Sequence, residues 1–350
     1  MKQDKNESLV NALINDRKVE YLAKCEICLL TSILIVSFLG NSLILISLYA
    51  KKHQIRRNFT RMYLFVVHLT VADLFNVFFN ILPELAWSIT FRFQNGATLC
   101  KTIKFLQPLG SYLYTYVLIT MAIDRYCAIS DSLNYCTVTS KRSTIMVYCS
   151  WFIAILLCLP QIFTYSYQEI LPNVWDCWTI FESSYEKIYI TWYSITVFLL
   201  PSVVLLYTYI GICINTWKTN AIAEFANIKK YKTTNFLQQN YNFFATKILI
   251  KTAKQTIILI TVYLITKTPF VGYLLWRTWK QKASSSNSFP DPILTFLKLL
   301  NNATGCINPW IYLLYNQELR SLLTAYFSRK EVYILAYDKE VQQKISKAPP

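Results

Sequence analysis

Two histidines, His53 and His68, are all that the 350 residues hold. A histidine metal centre or a Ser-His-Asp triad therefore has almost nothing to be built from. Glycine is nearly as scarce, with six in the chain, and none falls in a P-loop or G-x-G-x-x-G pattern that would cradle a phosphate. Charge is thin as well: Asp, Glu, Lys and Arg make up 15% of the residues. The ten cysteines offer one C-x-x-C, Cys25 and Cys28, with no second pair to complete a metal site. Catalysis has no constellation to rest on, and no cofactor or resident metal is expected.

What the chain has is apolar surface. Hydrophobic residues make up 54% of it, well above the balance of a soluble domain of this size. Uncharged runs cover Ile27–Ala50, Phe105–Ile123, Ser143–Gln168, Ile188–Trp217 and Leu299–Gln317, each near or above the roughly 18 residues that a spanning helix needs. Met62–Leu82 and Gln255–Trp276 join them if Asp73 and Lys267 are tolerated inside. The expectation is an all-α membrane protein of seven spans. The first run follows a polar stretch without a small-residue cleavage site, so it reads as a retained helix.

Loop charge orients the spans. Lys51, Lys52, Arg56, Arg57 and Arg61 crowd one loop without an acid, and in 218–254 Lys218, Lys229, Lys230, Lys232, Lys247, Lys251 and Lys254 oppose Glu224 alone. Both loops are expected on the cytoplasmic side. The loop 165–187, with Glu169, Asp176, Glu182 and Glu186 against Lys187, falls outside, as does Asn6 in the glycosylation sequon Asn6-Glu7-Ser8. The formal net charge of +16 sits in loops and at span ends, where anionic lipid takes it up. No basic soluble domain exists to bind nucleic acid.

Polar residues inside the spans are spaced for a helix. Asp73, Asn76, Asn80 and Glu84 share one face in span two. Lys104, Gln107, Ser111 and Thr115 do so in span three, and Lys298, Asn301 or Asn302, Gly305, Asn308 and Tyr312 in span seven. An ion at the bilayer centre costs about 2.5 to 3.5 kcal/mol on insertion scales. Asp73, Glu84, Lys267 and Lys298 therefore require partners or a wet cavity. Side-chain hydrogen bonds that join helices account for the asparagines alone; the ions point to function.

Gly40-Asn41, Leu69 to Asp73, Asp124-Arg125-Tyr126, Pro201 and Asn308-Pro309-Trp310-Ile311-Tyr312 stand in order on successive spans. Together they resemble the rhodopsin-like G-protein-coupled receptors, over roughly residues 25 to 327. "LPELAWSITFRF" (82–93), "LCKTIKFLQPLG" (99–110), "DCWTIF" (176–181) and "NPWIYLLYN" (308–316) resemble the vasopressin and oxytocin receptor branch. The resemblance implies a seven-transmembrane bundle (25–315) behind an outer tail (1–24), with an amphipathic eighth helix (316–328) and a cytoplasmic tail (329–350). It implies a small disulfide-ringed neuropeptide as ligand and a heterotrimeric G protein as partner. Carried over by position, the ligand residues are Asn80, Glu84, Lys104, Gln107, Gln161 and Trp178, and Lys298 joins them as a change from the family. Activation and coupling fall to Asp73, Asp124, Arg125, Tyr126, Lys267, Asn308, Pro309 and Tyr312, and a Cys100–Cys177 disulfide would close the outer side.

The chain departs from the family at several points. Lys267 stands where span six usually carries Trp, and Tyr114 where span three has Ser beside a sodium pocket. We expect the Lys267 ammonium to neutralise Asp73, and Glu84 to pair with Lys298 while Lys104 competes for the same carboxylate. No acid lies between Lys247 and Lys254, so Arg125 is expected to rest on Asp124. No cysteine follows Cys306 to carry a palmitoyl anchor. The rival readings are a receptor for another neuropeptide, a retinal-binding photoreceptor whose lysine would fall at Asn302, and a transporter, which the lack of an inverted repeat disfavours.

Overall fold

The computed structural model describes the backbone of residues 2–54, 61–90, 93, 96–130, 141–179, 183–229, 236–280 and 291–328. The side chains of 2–19, 50–54, 218–229, 236–249 and 325–328, among others, lie outside the described set. Calls on Asn6, on most of the basic loop residues and on the tail 329–350 lie there too.

Seven long helices succeed one another: α1 (Lys2–Gln54), α2 (Arg61–Thr90), α3 (Gly96–Ser130), α4 (Lys141–Thr164), α5 (183–229), α6 (Phe236–Lys280) and α7 (292–315). A shorter α8 (Gln317–Ser328) follows. Length and apolarity alone mark five of them as membrane spans: α1, α2, α4, α5 and α6. The other two escape for visible reasons: the uncharged stretch of α3 is diluted by Gln107, Pro108, Ser111, Tyr112, Tyr114 and Tyr116, and α7 is interrupted at Ala303 into two shorter pieces.

α3 is the central post and packs on α2, α4, α5 and α6, while α1 closes the ring between α2 and α7. The core is a continuous apolar cluster that includes Phe65, Leu69, Leu113, Val117, Met121, Leu259 and Ile260. Large aliphatic and aromatic side chains such as Ile35, Phe152, Val203, Leu206 and Ile265 face outward, as lipid contact demands. Asn41, Asp73, Lys267 and Asn308 are buried instead. Apolar outside and polar inside is the arrangement expected of a bundle whose solvent is hydrocarbon. The bundle brings α1 and α7 so close that a Cβ on Gly40 would stand 2.9 Å from Pro309 Cγ.

Two spans carry a π-helical turn, Val77–Ile81 in α2 and Ile195–Leu199 in α5. Each lies just before a proline, Pro83 and Pro201. A proline lacks the N–H that would bond four residues back, and its ring collides with that carbonyl. A wide turn relieves both problems and releases carbonyls for other donors. In α5, Tyr263 of α6 donates to Val197 O at 2.8 Å and Tyr116 of α3 to Thr196 O at 3.1 Å.

The outer loop after α4 forms a hairpin, β1 (Tyr165–Leu171) and β2 (Val174–Thr179), antiparallel with Tyr167 opposite Cys177. This strand pair is absent from the sequence reading. Its turn is Pro172-Asn173, where Asn173 adopts a left-handed φ of 62°, a conformation that Asn tolerates. Cys177 is disulfide-bonded to Cys100 at the outer end of α3, and Asp176 Oδ1 accepts the Phe93 backbone N–H at 3.1 Å.

Candidate ligand-binding site

At the end that carries the disulfide-bonded hairpin, the bundle opens into a cavity of about 500 Å³. Asn80, Glu84, Lys104, Gln107, Gln161 and Lys298 all line it, so six of the seven expected ligand residues converge on one space. Trp178 does not: it stands on β2, 55% exposed, away from the lining. Asp176 and Cys177 are buried, the one by its bond to the Phe93 N–H and the other by its disulfide, while Trp178 is left outside.

The acids and bases of the cavity are sorted by helix. Lys298 Nζ of α7 contacts Glu84 Oε1 of α2 at 2.7 Å. The pair is lopsided, for the lysine side chain is 42% exposed and the glutamate 9%. Glu84 Oε2 is buried without a partner among the described residues. Lys104 stands in the field of that carboxylate without an ion-pair contact to it. Its Nζ lies 4.4 Å from the centroid of Trp87 and 5.0 Å from that of Tyr165, an aromatic seat worth roughly 0.5 to 2 kcal/mol to a cation. Lys104 thus acts on Glu84 through its field alone, and π-faces, which the spacing of charges along α3 does not reveal, hold its ammonium.

Neutral amides fill the space between. Asn80 Nδ2 donates to Asn76 Oδ1 at 3.0 Å and to Asn302 Oδ1 at 3.2 Å, joining α2 to α7. Gln161 of α4 donates through Nε2 to the Tyr189 hydroxyl of α5. Tyr165, Tyr189, Tyr193, Phe270 and Leu274 supply an apolar wall. Glu26 of α1 also lines the cavity, within the electrostatic reach of Glu84 and Lys298 and bonded to Ser88. The sequence reading passed over Glu26 because the residue precedes the first apolar run by a single position; its place within one helical turn of Leu30 was the available signal.

Below the cavity lies a second polar layer. Asp73 Oδ2 accepts from Asn308 Nδ2 at 2.8 Å, and Asn308 Oδ1 accepts from the Tyr114 hydroxyl at 3.2 Å. Thr304 of α7 donates to Thr266 of α6 at 2.9 Å. Lys267 donates to Ser111 Oγ of α3 at 2.5 Å. Lys267 and Asp73 stand in each other's field without direct contact: the ammonium is turned toward α3, and both groups border one small void. Tyr312 is buried a turn beyond Asn308, its hydroxyl unpartnered among the described residues.

At the inner end Arg125 forms an ion pair with Asp124, and Ser143 of α4 donates to Asp124 Oδ1 at 3.0 Å. Although α6 offers no carboxylate here, it does hold Arg125, which donates to Thr252 Oγ1 at 3.3 Å. Tyr126 lies with its ring centroid 5.9 Å from that of Tyr207. The neighbouring Gly211 leaves room for it: a Cβ there would come within 2.4 Å of Tyr126 Cε2.

Comparison with known proteins agrees with this geometry. The sequence profile described as "7 transmembrane receptor (rhodopsin family)" matches residues 40–312. The vasopressin V1b receptor of Mus musculus is 33% identical, across 86% of this chain and 74% of that protein. Cephalotocin receptor 1 of Octopus vulgaris is 30% identical across 93% and 89%, and the annetocin receptor of Eisenia fetida 29% across 88% and 83%.

Proposed function

The chain belongs to the rhodopsin family of seven-transmembrane receptors, and from that premise we propose that it binds a small peptide of the vasopressin and oxytocin kind and activates a heterotrimeric G protein. The observation that carries the reading is the outer cavity. At about 500 Å³ it falls within the usual range of ligand pockets. It combines directional amides, two acids and two bases with an aromatic wall, and backbone amides of a peptide need such donors and acceptors. Asn80, Glu84, Lys104, Gln107, Gln161 and Lys298 form the contact set, with Trp178 at the rim. Asp73, Lys267, Asn308, Pro309 and Tyr312 transmit the change inward to Asp124, Arg125 and Tyr126, where the G protein meets the receptor.

The protein is a multi-pass membrane protein. We place it in the plasma membrane with its N-terminus outside, which the lysines and arginines of 50–61 and 218–254 support. The same orientation puts the disulfide-bonded hairpin on the oxidising side.

The test is a calcium and cyclic-nucleotide readout in transfected cells, challenged with disulfide-ringed peptides. A saturable response that Gln107→Ala weakens at unchanged surface expression supports the proposal. Silence to every such peptide from a chain proven to be at the surface refutes the ligand class. One observation favours a second reading, a receptor for a different neuropeptide. The Glu84–Lys298 pair rebuilds the cavity wall, and a linear peptide as the better agonist would establish that alternative.

A further inference from the structure

Beneath the floor of the ligand cavity lies a void of about 20 Å³, bordered by Asp73, Ser111, Lys267 and Asn301 among others. Three polar groups around it keep unspent hydrogen-bonding capacity. The Lys267 ammonium has three donors and gives one to Ser111 Oγ at 2.5 Å. Asp73 receives Asn308 on Oδ2 at 2.8 Å, while its Oδ1 faces Gly305, 3.4 Å from where a Cβ would stand. Asn301 Oδ1 is buried with no partner among the described residues. Lys267 and Asp73 are both buried and each stands in the other's field, yet they border this void without an ion pair between them.

We propose that the void is a one-water site through which Lys267 neutralises Asp73. A water needs roughly 10 to 15 Å³ of such space and two to four polar partners. This void admits one molecule and supplies three partners. The water accepts from Lys267 and donates to Asp73 and to Asn301 Oδ1, so each of the three bonds runs from a donor to an acceptor. The chain then carries its own counter-cation on α6, and the buried carboxylate of α2 requires no mobile one. Gly305 is part of the design, since a side chain there would meet Ser37 Oγ at 2.7 Å and crowd Asp73. Because the ammonium hangs from α6 and its partners belong to α2, α3 and α7, outward movement of α6 withdraws the charge from Asp73. The site therefore holds the closed packing.

The deciding experiment is thermal unfolding of the full chain purified in detergent, in sodium chloride against choline chloride at equal concentration. It needs neither ligand nor G protein, so its failure is distinguishable from failure of the receptor reading. The wild type should unfold at the same temperature in both salts. Lys267→Met should lose several degrees in choline and recover part of the loss in sodium, because the bared carboxylate, ringed by amide and hydroxyl oxygens, then takes a hard cation. Lys267→Met with Asp73→Asn should cost less than the sum of the single changes and lose the sodium response. Additive losses, or a wild type as sodium-dependent as Lys267→Met, would overturn the proposal. Should Lys267→Met alone yield no folded protein, the double variant decides: recovery of folding upholds the bridge and continued failure refutes it.

Discussion

Removing either member of the Glu84–Lys298 pair should have unequal effects. Lys298→Met leaves a carboxylate that is 9% exposed, with one oxygen already unpartnered and Glu26 close enough to repel it. Stripping one partner from a fully buried ion pair costs about 3 to 5 kcal/mol. The half-open lysine side means the pair is partly solvated, so about 1 to 3 kcal/mol is the expected loss after discounting for screening. Glu84→Gln leaves an ammonium that is 42% exposed and free to turn into the watery mouth, a loss of about 0 to 1 kcal/mol. The double variant should recover most of what Lys298→Met loses, a coupling of about 1 to 2 kcal/mol. The assay is a double-mutant cycle on thermal unfolding in detergent, read beside surface expression. Equal penalties for the two single variants, or a double variant equal to their sum, would refute the reasoning, because a buried acid facing an exposed base cannot behave symmetrically.

Two further outcomes follow from the geometry. Tyr263→Phe removes the bond from α6 to the Val197 carbonyl at 2.8 Å; the loss of about 1 kcal/mol should raise ligand-independent signalling about fivefold in an inositol phosphate assay. Gly211→Ala drives a methyl into the Tyr126 ring, which stands 2.4 Å from the added carbon; G-protein activation should fall while peptide affinity, measured by radioligand displacement, stays unchanged.

The sequence made the polar stripes legible because helical spacing is local. Steps of three and four residues put Asn80 beside Glu84, and Asn301 beside Lys298, whatever the rest of the bundle does. The same rule found Asn80, Glu84, Lys104, Gln107 and Lys298 of the cavity lining, whereas Gln161 and the Glu84–Lys298 neighbourhood followed from the family resemblance. It failed where the answer depended on reach across helices. Whether Lys267 turns to Ser111 or to Asp73, and whether Lys104 prefers Glu84 or the faces of Trp87 and Tyr165, is decided by ring and rotamer positions on other spans. Pro83 and Pro201 announced local irregularity without saying that it would be a wide turn. The hairpin escaped notice because charge was the feature weighed in 165–187, while the alternation that pairs Tyr165 with Thr179 went unweighed.

The wide turn of α5 also acts as a phase shift. Each residue of a helix turns the chain by about 100°, so the added residue in Ile195–Leu199 rotates everything before it relative to everything after. Tyr189 and Tyr193 face the ligand cavity while Gly211 faces Tyr126, an alignment that an unbroken spiral of the same length would spoil. Contraction of that turn by one step would swing the outer tyrosines like hands on a dial without disturbing the inner end, so the helix carries a rotary joint between the part that meets the hormone and the part that meets the cell's machinery.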